Sequence, residues 1–294
     1  MNINAVKKLS ADVKHIVTFY GYDVNYLPKQ DPRWQTRYQE LFATADLFLC
    51  EGSHMAKSLI ALGCPDDKVK VHHLGVSVEK ITFQPRIWNP NETLKVLIAG
   101  RFTEKKGIPY ALEALGKIQN DVPLSITIIG DSTDEQRMKN EKAKILAIID
   151  KYQLQSKVRM LGYQPHSVFF TEAYKNHIFI SPSVTAKDGD TEGGVPVSII
   201  ELAATGMPIV STNHCDIPEV IIDGVTGLLA SERNVNELVM RLRTLINFPE
   251  IWQPIIFKAR QHIEQEYNAI VQGRKLGEMY RDLNQNQVPT YDYK

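Results

Sequence analysis

The sequence predicts an α/β fold of two doubly wound domains, the first of them incomplete. Three observations carry this. From Leu94 onward, short apolar runs alternate with helix-like stretches, the pattern of a parallel sheet with helices on both faces. A shorter version of that alternation occupies the first 92 residues. A chain of 294 residues is also long enough for about two domains.

In chain order, the first part reads as strands near 15–19, 46–50 and 70–73, with helices over 34–44 and 53–62. Ser53 suits a helix N-cap and Gly63 a helix stop. Three strands and two helices make half of a doubly wound domain, which leaves an unpaired edge and uncovered apolar faces. The expectation is a chain that self-associates, or whose first domain a partner completes. Asn89, Pro90, Asn91 and Glu92 read as the interdomain linker. The second domain reads as strands over 94–99, 124–129, 157–161, 177–181 and 208–212. Between them fall helices over 109–119, 135–152, 167–175 and 196–205. A last helical region is expected over 254–283, followed by a polar tail expected to be disordered. The units are therefore 1–92, 93–265 and 266–294.

Composition excludes several classes. The 43% hydrophobic and 23% charged content is that of a soluble globular chain with a sizeable core. Lys plus Arg and Asp plus Glu both number 34, so the basic excess of a general nucleic-acid binder is missing. Cys50, Cys64 and Cys215 lie far apart without a CxxC and read as reduced thiols. No apolar run approaches the roughly 18 residues of a membrane span. The opening residues lack the apolar core of a signal peptide. A cytoplasmic location is expected, with any membrane contact peripheral and at the inner face.

The most informative stretch runs from Thr191 to Glu201, TEGGVPVSIIE. Pro196 suits a first helical position, and the glycines let backbone approach a ligand closely. The helix that follows points unpaired N–H groups and its positive dipole end back at the loop. Such a site suits a phosphorylated ligand, with Glu192 and Glu201 free to take hydroxyl hydrogen bonds. A nucleotide sugar fits. A second stretch, Gly100 to Gly107 (GRFTEKKG), sits between a strand and a helix. There Arg101, as a bidentate donor, and a lysine at the helix entrance would converge on one anion. Asp188-Gly189-Asp190 is a DxD triplet that some glycosyltransferases use for a metal, although an acidic Gly-containing loop is more often a solvated turn. His72 and His73 are adjacent in a strand and point to opposite faces, so no metal site is assigned to them. Neither GxGxxG nor GxxxxGK[ST] occurs.

Taken together, these segments resemble the retaining GT-B glycosyltransferases of family 4, the glycosyl transferases group 1, of the bacterial surface-polysaccharide type. The resemblance is carried by Gly100-Arg101 with Lys106-Gly107, by Leu161-Gly162-Tyr163, by Ser181-Pro182-Ser183 and by Glu192 through Thr212. Ile217 to Ile221 (IPEVI) and Gly224 to Leu229 (GVTGLL) extend it, as do Tyr20 to Asp23 (YGYD), Ala45 to Phe48 (ADLF) and His73 to Val76 (HLGV). It implies two facing Rossmann-like domains with the last helix crossing back to the first. Arg101 and Lys106 would hold the diphosphate, and Glu201 a ribose hydroxyl. Glu192 would contact the donor sugar, with the backbone of Gly193, Gly194, Val195, Pro196 and Val197 reaching sugar and phosphate. The catalytic set is then Glu192, Arg101 and Lys106, with Tyr20 and Asp23 on the acceptor side. No cofactor and no metal are implied. The donor substrate would be a UDP- or GDP-linked sugar and the acceptor a saccharide or lipid-linked saccharide, with transfer of a hexose and retention of configuration.

Three departures stand out. Eight residues separate Glu192 from Glu201 where the family usually has seven, because Gly193 and Gly194 are doubled. Tyr20 stands where the family often has a histidine, and tyrosine cannot reproduce its proton behaviour near neutral pH. The sequence also carries no counterpart of the family's opening segment with its glycine-rich loop, and is read as amino-terminally truncated. Two alternatives therefore stay open: a chain that binds donor without transferring it, and another GT-B enzyme such as a nucleotide-sugar epimerase.

Overall fold

The computed structural model describes residues 13–285. The expected disorder of the polar tail falls outside the described residues. Two parallel sheets organise the rest. The first contains β1 (Ile16–Thr18), β2 (Leu47–Cys50) and β3 (Val69–Val71), in that spatial order. Val17 stands opposite Phe48, and Leu49 opposite Lys70. All four residues of β2 are buried, as the middle strand of a covered parallel sheet must be. Between β1 and β2 run a π-helical turn (Tyr22–Tyr26), α1 (Leu27–Gln30) and α2 (Arg33–Thr44); α3 (Ser53–Ala61) follows β2. An aromatic cluster of Phe19, Tyr38, Phe42 and Phe48 fills this core, with the Phe42 and Phe48 rings edge to face at 5.3 Å.

The second sheet holds β4 (Leu94–Ala99), β5 (Leu124–Ile129), β6 (Val158–Met160), β7 (Ile178–Ser181), β8 (Ile209–Thr212) and β9 (Leu228–Ala230). Its spatial order is β6-β5-β4-β7-β8-β9, all parallel. Side chains alternate across it: Val96, Ile98, Ile126 and Ile128 face one buried cluster, Leu97, Ile129, Phe179 and Ile209 the other. The covering helices are α4 (Ile108–Ile118), α5 (Gln136–Lys151), α6 (His166–Ala173), α7 (Val197–Ala204), α8 (Ile217–Val220), α9 (Val235–Asn247) and α10 (Trp252–Glu266). The strand order reverses between β4 and β7, and such a reversal opens a crevice at the strands' carboxyl ends.

The structure adds to the expected elements. Strand β9 and helix α9 were not anticipated, although Asn234 is an N-cap of α9, accepting from the Glu237 N–H at 3.1 Å and donating its amide to the Glu237 carboxylate at 2.7 Å. The helical region expected as one piece breaks at Tyr267 and Asn268. Tyr267 is buried, and the Asn268 carboxamide accepts from the Ile270 N–H at 2.8 Å, which starts α11 (Ala269–Gln285). The Val76 N–H donates to the Tyr267 carbonyl at 2.8 Å, the N–H of Ala269, α11's first residue, donates to the Val76 carbonyl at 2.9 Å, and His72 Nε2 lies 3.0 Å from the Gln272 carbonyl oxygen, so α11 returns to the first sheet.

One expectation is corrected. Ser53 is the first helical residue of α3 and makes no capping bond of its own; the N-cap position belongs to Gly52, which has no side chain to offer. The cap comes from the other sheet. Asp216 accepts from the N–H groups of His54 (2.6 Å) and Met55 (3.4 Å), and Glu219 from that of Ser53 (2.7 Å). Orphan donors at a helix start are satisfied by any acidic oxygen in reach, and here two carboxylates join the halves of the molecule.

Candidate functional site

A cavity of about 340 Å³ opens where the strand order reverses. Gly100 and Arg101 enter it from the end of β4, Gly130 from β5, Tyr163 and His166 from the segment after β6, and Ser198 and Glu201 from α7; Lys106 closes one side. The turn from β4 to α4 is tight. Gly107 sits at φ +62° against the Pro182 carbonyl, which a Cβ would approach to 1.8 Å. Only glycine fits there. That close packing holds Lys106 beside the loop following β7.

The three cations of the turn are placed differently. Lys106 Nζ lies 2.9 Å from each Glu192 oxygen, and Ser183 Oγ donates to the same carboxylate at 2.8 Å. Burial pushes the Glu192 pKa up, but Lys106, Lys105 and Ser183 outweigh it and hold the carboxyl below its ordinary range. Lys105 turns the other way and pairs with Asp190 at 3.0 Å while donating to the Thr191 carbonyl at 2.9 Å. The Arg101 side chain is exposed, lines the cavity and has no hydrogen-bond or ion-pair partner among the described residues. It is the cation most available to a bound anion.

Glu201 faces the cavity's far side, its carboxylate 2.9 Å from His166 Nε2. Burial raises its pKa and His166 only partly offsets that. Pro196 lies one residue ahead of α7 (φ −55°, ψ 124°) rather than at its first position, a one-residue difference at a helix end. Val195 is buried, Val197 half exposed at the helix start.

Gly193 and Gly194 face the first sheet rather than the cavity. The Gly193 backbone (φ +77°) meets Gly21 (φ +89°) so closely that a Cβ on Gly193 would stand 2.2 Å from the Gly21 Cα. Gly194 faces the Glu51 carboxylate, which a Cβ there would meet at 1.7 Å. The doubled glycine thus gives room to the YGYD turn and to Glu51 at the end of β2. Tyr20 is exposed beside this contact, and Asp23 accepts from the Tyr20 and Val24 N–H groups at 3.0 and 3.1 Å, shaping its own turn. Burial, with Asp216 and Asp23 adding repulsion, pushes the Glu51 carboxyl up to about 7.

Asp188 and Asp190 do not converge. Asp190 is held by Lys105, the Asp188 carbonyl accepts from Gln30 of α1 at 3.3 Å, and the Asp188 carboxylate lies 3.8 Å from Arg137. The triplet is a turn between the two halves. His72 and His73 have separate partners, the Gln272 and Glu51 carbonyls. Among the described residues no three His, Cys, Asp or Glu side chains gather in a metal-binding group. The three cysteines are free thiols, and no described helix is long and apolar enough to cross a membrane. Sequence reasoning missed His166, Glu51, His214 and Glu232. For Glu51 and Glu232 the signal was their place directly after a strand's carboxyl end or close to it; for the two histidines no pattern marked them.

The description "Glycosyl transferases group 1" matches residues 80–262. The chain belongs to this family. Amylovoran biosynthesis glycosyltransferase AmsK of Erwinia amylovora is 33% identical over 271 residues, 92% of this chain and 64% of AmsK. WcaL of Escherichia coli K12, named as a colanic acid biosynthesis glycosyltransferase, is 31% identical over 268 residues, 90% of this chain and 63% of WcaL. The chain therefore spans under two thirds of the length of these relatives. Among solved structures, Anabaena Alr3699/HepE in complex with UDP aligns with a TM-score of 0.78 at 17% identity, covering 95% of this chain and 75% of that one. A glycosyltransferase from Rickettsia africae aligns at 0.74 and 20% identity, over 92% and 71%. The architecture of this group 1 chain is GT-B.

Proposed function

We propose that the chain takes a hexose from a nucleotide-sugar donor and passes it, with retention of configuration, to a saccharide or lipid-linked saccharide in bacterial polysaccharide synthesis. The observation that carries this is the Arg101 guanidinium, without a partner among the described residues, in a cavity at the strand-order reversal, flanked by the Lys106–Glu192 pair and by Glu201. A diphosphate there receives Arg101 and the spare donors of Lys106. Both oppose the charge that builds as the diphosphate departs, the electrostatic stabilisation that dominates such chemistry. Glu201 suits ribose hydroxyls and Glu192 those of the sugar. UDP and glucose in the HepE complexes, and the exopolysaccharides in the names of the relatives, support the substrate class.

On this reading Tyr20, Asp23 and Glu51 border the acceptor side, and residues 1–92, 93–265 and 266–294 act as acceptor unit, donor unit and returning helix. No metal is required, because Arg101 and Lys106 supply the countercharge. The test is transfer of labelled sugar from UDP-glucose, UDP-galactose and GDP-mannose to lipid-linked saccharide. Label in product without added metal supports the proposal; nucleotide binding with no transfer to any acceptor supports donor binding alone. That second reading draws on the first sheet, with three strands among the described residues against six in the second. Catalysis needs both substrates held in near-attack geometry, an effect worth up to about 7–11 kcal/mol.

A further inference from the structure

The loop from Pro182 to Pro196 carries Glu192, and two residues outside the cavity fix its backbone. Glu232, just after β9, accepts from the Thr185 N–H at 2.8 Å near the loop's start, and its other oxygen lies 2.6 Å from His214 Nδ1. His214, whose side chain is 1% exposed, receives the Glu192 N–H on Nε2 at 3.1 Å near the loop's end. Arg233, in the left-handed region at φ +61°, donates to the Thr185 carbonyl and to the Tyr110 hydroxyl at 2.7 Å.

These contacts determine the state of the imidazole. A backbone N–H can only donate, so Nε2 must present its lone pair to Glu192; the Cys215 thiol, its Sγ 3.2 Å from Nε2, can donate to the same nitrogen. The single ring proton of a neutral imidazole then sits on Nδ1 and is donated to the Glu232 carboxylate. Glu232 suits this role. Burial pushes its pKa up, but the Thr185 N–H and His214 outweigh that and keep it below the ordinary range, ready to accept. A buried ring with both nitrogens engaged cannot rotate without breaking one bond.

We propose that His214 and Glu232 are a positioning pair that sets the Glu192 backbone, and through it the direction of the Glu192 carboxylate towards the donor sugar. Neither touches the cavity. The proposal rests on the reading of Glu192 as a sugar-facing group. It explains why one carboxylate holds both ends of the loop: the spacing from Thr185 to Glu192 is fixed by a single side chain and an imidazole. Displacing a reacting group by about 1 Å can cost roughly a hundredfold in rate, so a pair of this kind acts on turnover more than on affinity.

The first test needs no substrate. In protein labelled with 15N-histidine, the His214 resonances, assigned by their loss in His214→Gln, should show a protonated Nδ1 and a bare Nε2 at pH 7.5. A protonated Nε2 overturns the proposal. The second test uses hydrolysis of UDP-glucose, UDP-galactose or GDP-mannose, whichever the unaltered chain cleaves. His214→Ala and Glu232→Ala should lower kcat about 10–100-fold with donor KM within about threefold. His214→Gln, which can place an amide oxygen opposite the Glu192 N–H, should recover most of the loss. Equal rates in all variants, or a KM effect without a kcat effect, contradict the proposal. If the unaltered chain cleaves none of the three, the functional reading fails while the tautomer measurement still decides this inference.

Discussion

Glu192 is held ionised by Lys106, the lysine that on the proposed reading also faces the donor, and this shared partner has measurable consequences. Its depressed pKa contributes stability that is present above the unfolded carboxyl range, near 4.3, and is lost as pH falls through the folded value. Replacing it by glutamine removes charge-assisted bonds worth about 1.5–3 kcal/mol each in favourable cases. Denaturant titration of Glu192→Gln should therefore show a loss of about that size at pH 7 that persists down to about pH 4.3 and shrinks only below it; an unchanged midpoint at pH 7 would mean that the ion pair contributes nothing. Glu51 has the opposite sign. Its pKa of about 7 lies above the unfolded value, so its contribution is present below the unfolded pKa and lost as pH rises through about 7. Glu51→Gln should then be more stable than the parent at pH 8, by about 1–3 °C in melting temperature, and equal to it near pH 4.5. A lower melting temperature at pH 8 would show that the Glu51 charge is favourably held.

At the scale of elements, helix α3 depends on side chains far away in the sequence. Asp216 caps His54 and Met55 across the molecule. Asp216→Ala should cost about 0.5–2 kcal/mol, the range for loss of an N-cap, and raise hydrogen exchange at the first turn of α3. Protection there equal to the parent's would assign the cap elsewhere. The sequence could not reveal this, because capping patterns are local and this acceptor lies more than 160 residues away. Pattern made β4 to β8 and α4 to α7 legible, since short, near-continuous apolar runs and amphipathic stretches report burial directly. It missed β9, three buried residues directly after the GVTG turn. It also merged α10 and α11, whose separation depends on a buried tyrosine and an asparagine turn. At the site, Arg101, Lys106, Glu192 and Glu201 were legible because loops after strands carry the chemistry in this fold. The role of the doubled glycine was not. Its reason is steric, in Gly21 and Glu51 pressing against Gly193 and Gly194.

At the scale of the whole molecule, the loop bearing Glu192 touches both halves, with Gly193 against Gly21 and Gly194 against Glu51. The DxD turn reaches the first half through Gln30 on the Asp188 carbonyl, while Lys105 of its own half neutralises Asp190. UDP affinity should therefore stay within about twofold when EDTA replaces magnesium, a change under about 0.5 kcal/mol. Loss of binding in EDTA with recovery on manganese would restore the metal reading of Asp188 and Asp190. The central claim is that a nucleoside diphosphate is held at the strand-order reversal by Arg101. Calorimetric titration of UDP, GDP and ADP into the parent chain and into Arg101→Ala tests it most directly. One of the three should bind the parent below millimolar concentration, and Arg101→Ala should weaken it about 10–100-fold, the effect of losing a charge-assisted bond of about 1.5–3 kcal/mol. No binding by any of the three at millimolar concentration, or equal binding to both proteins, would contradict the account.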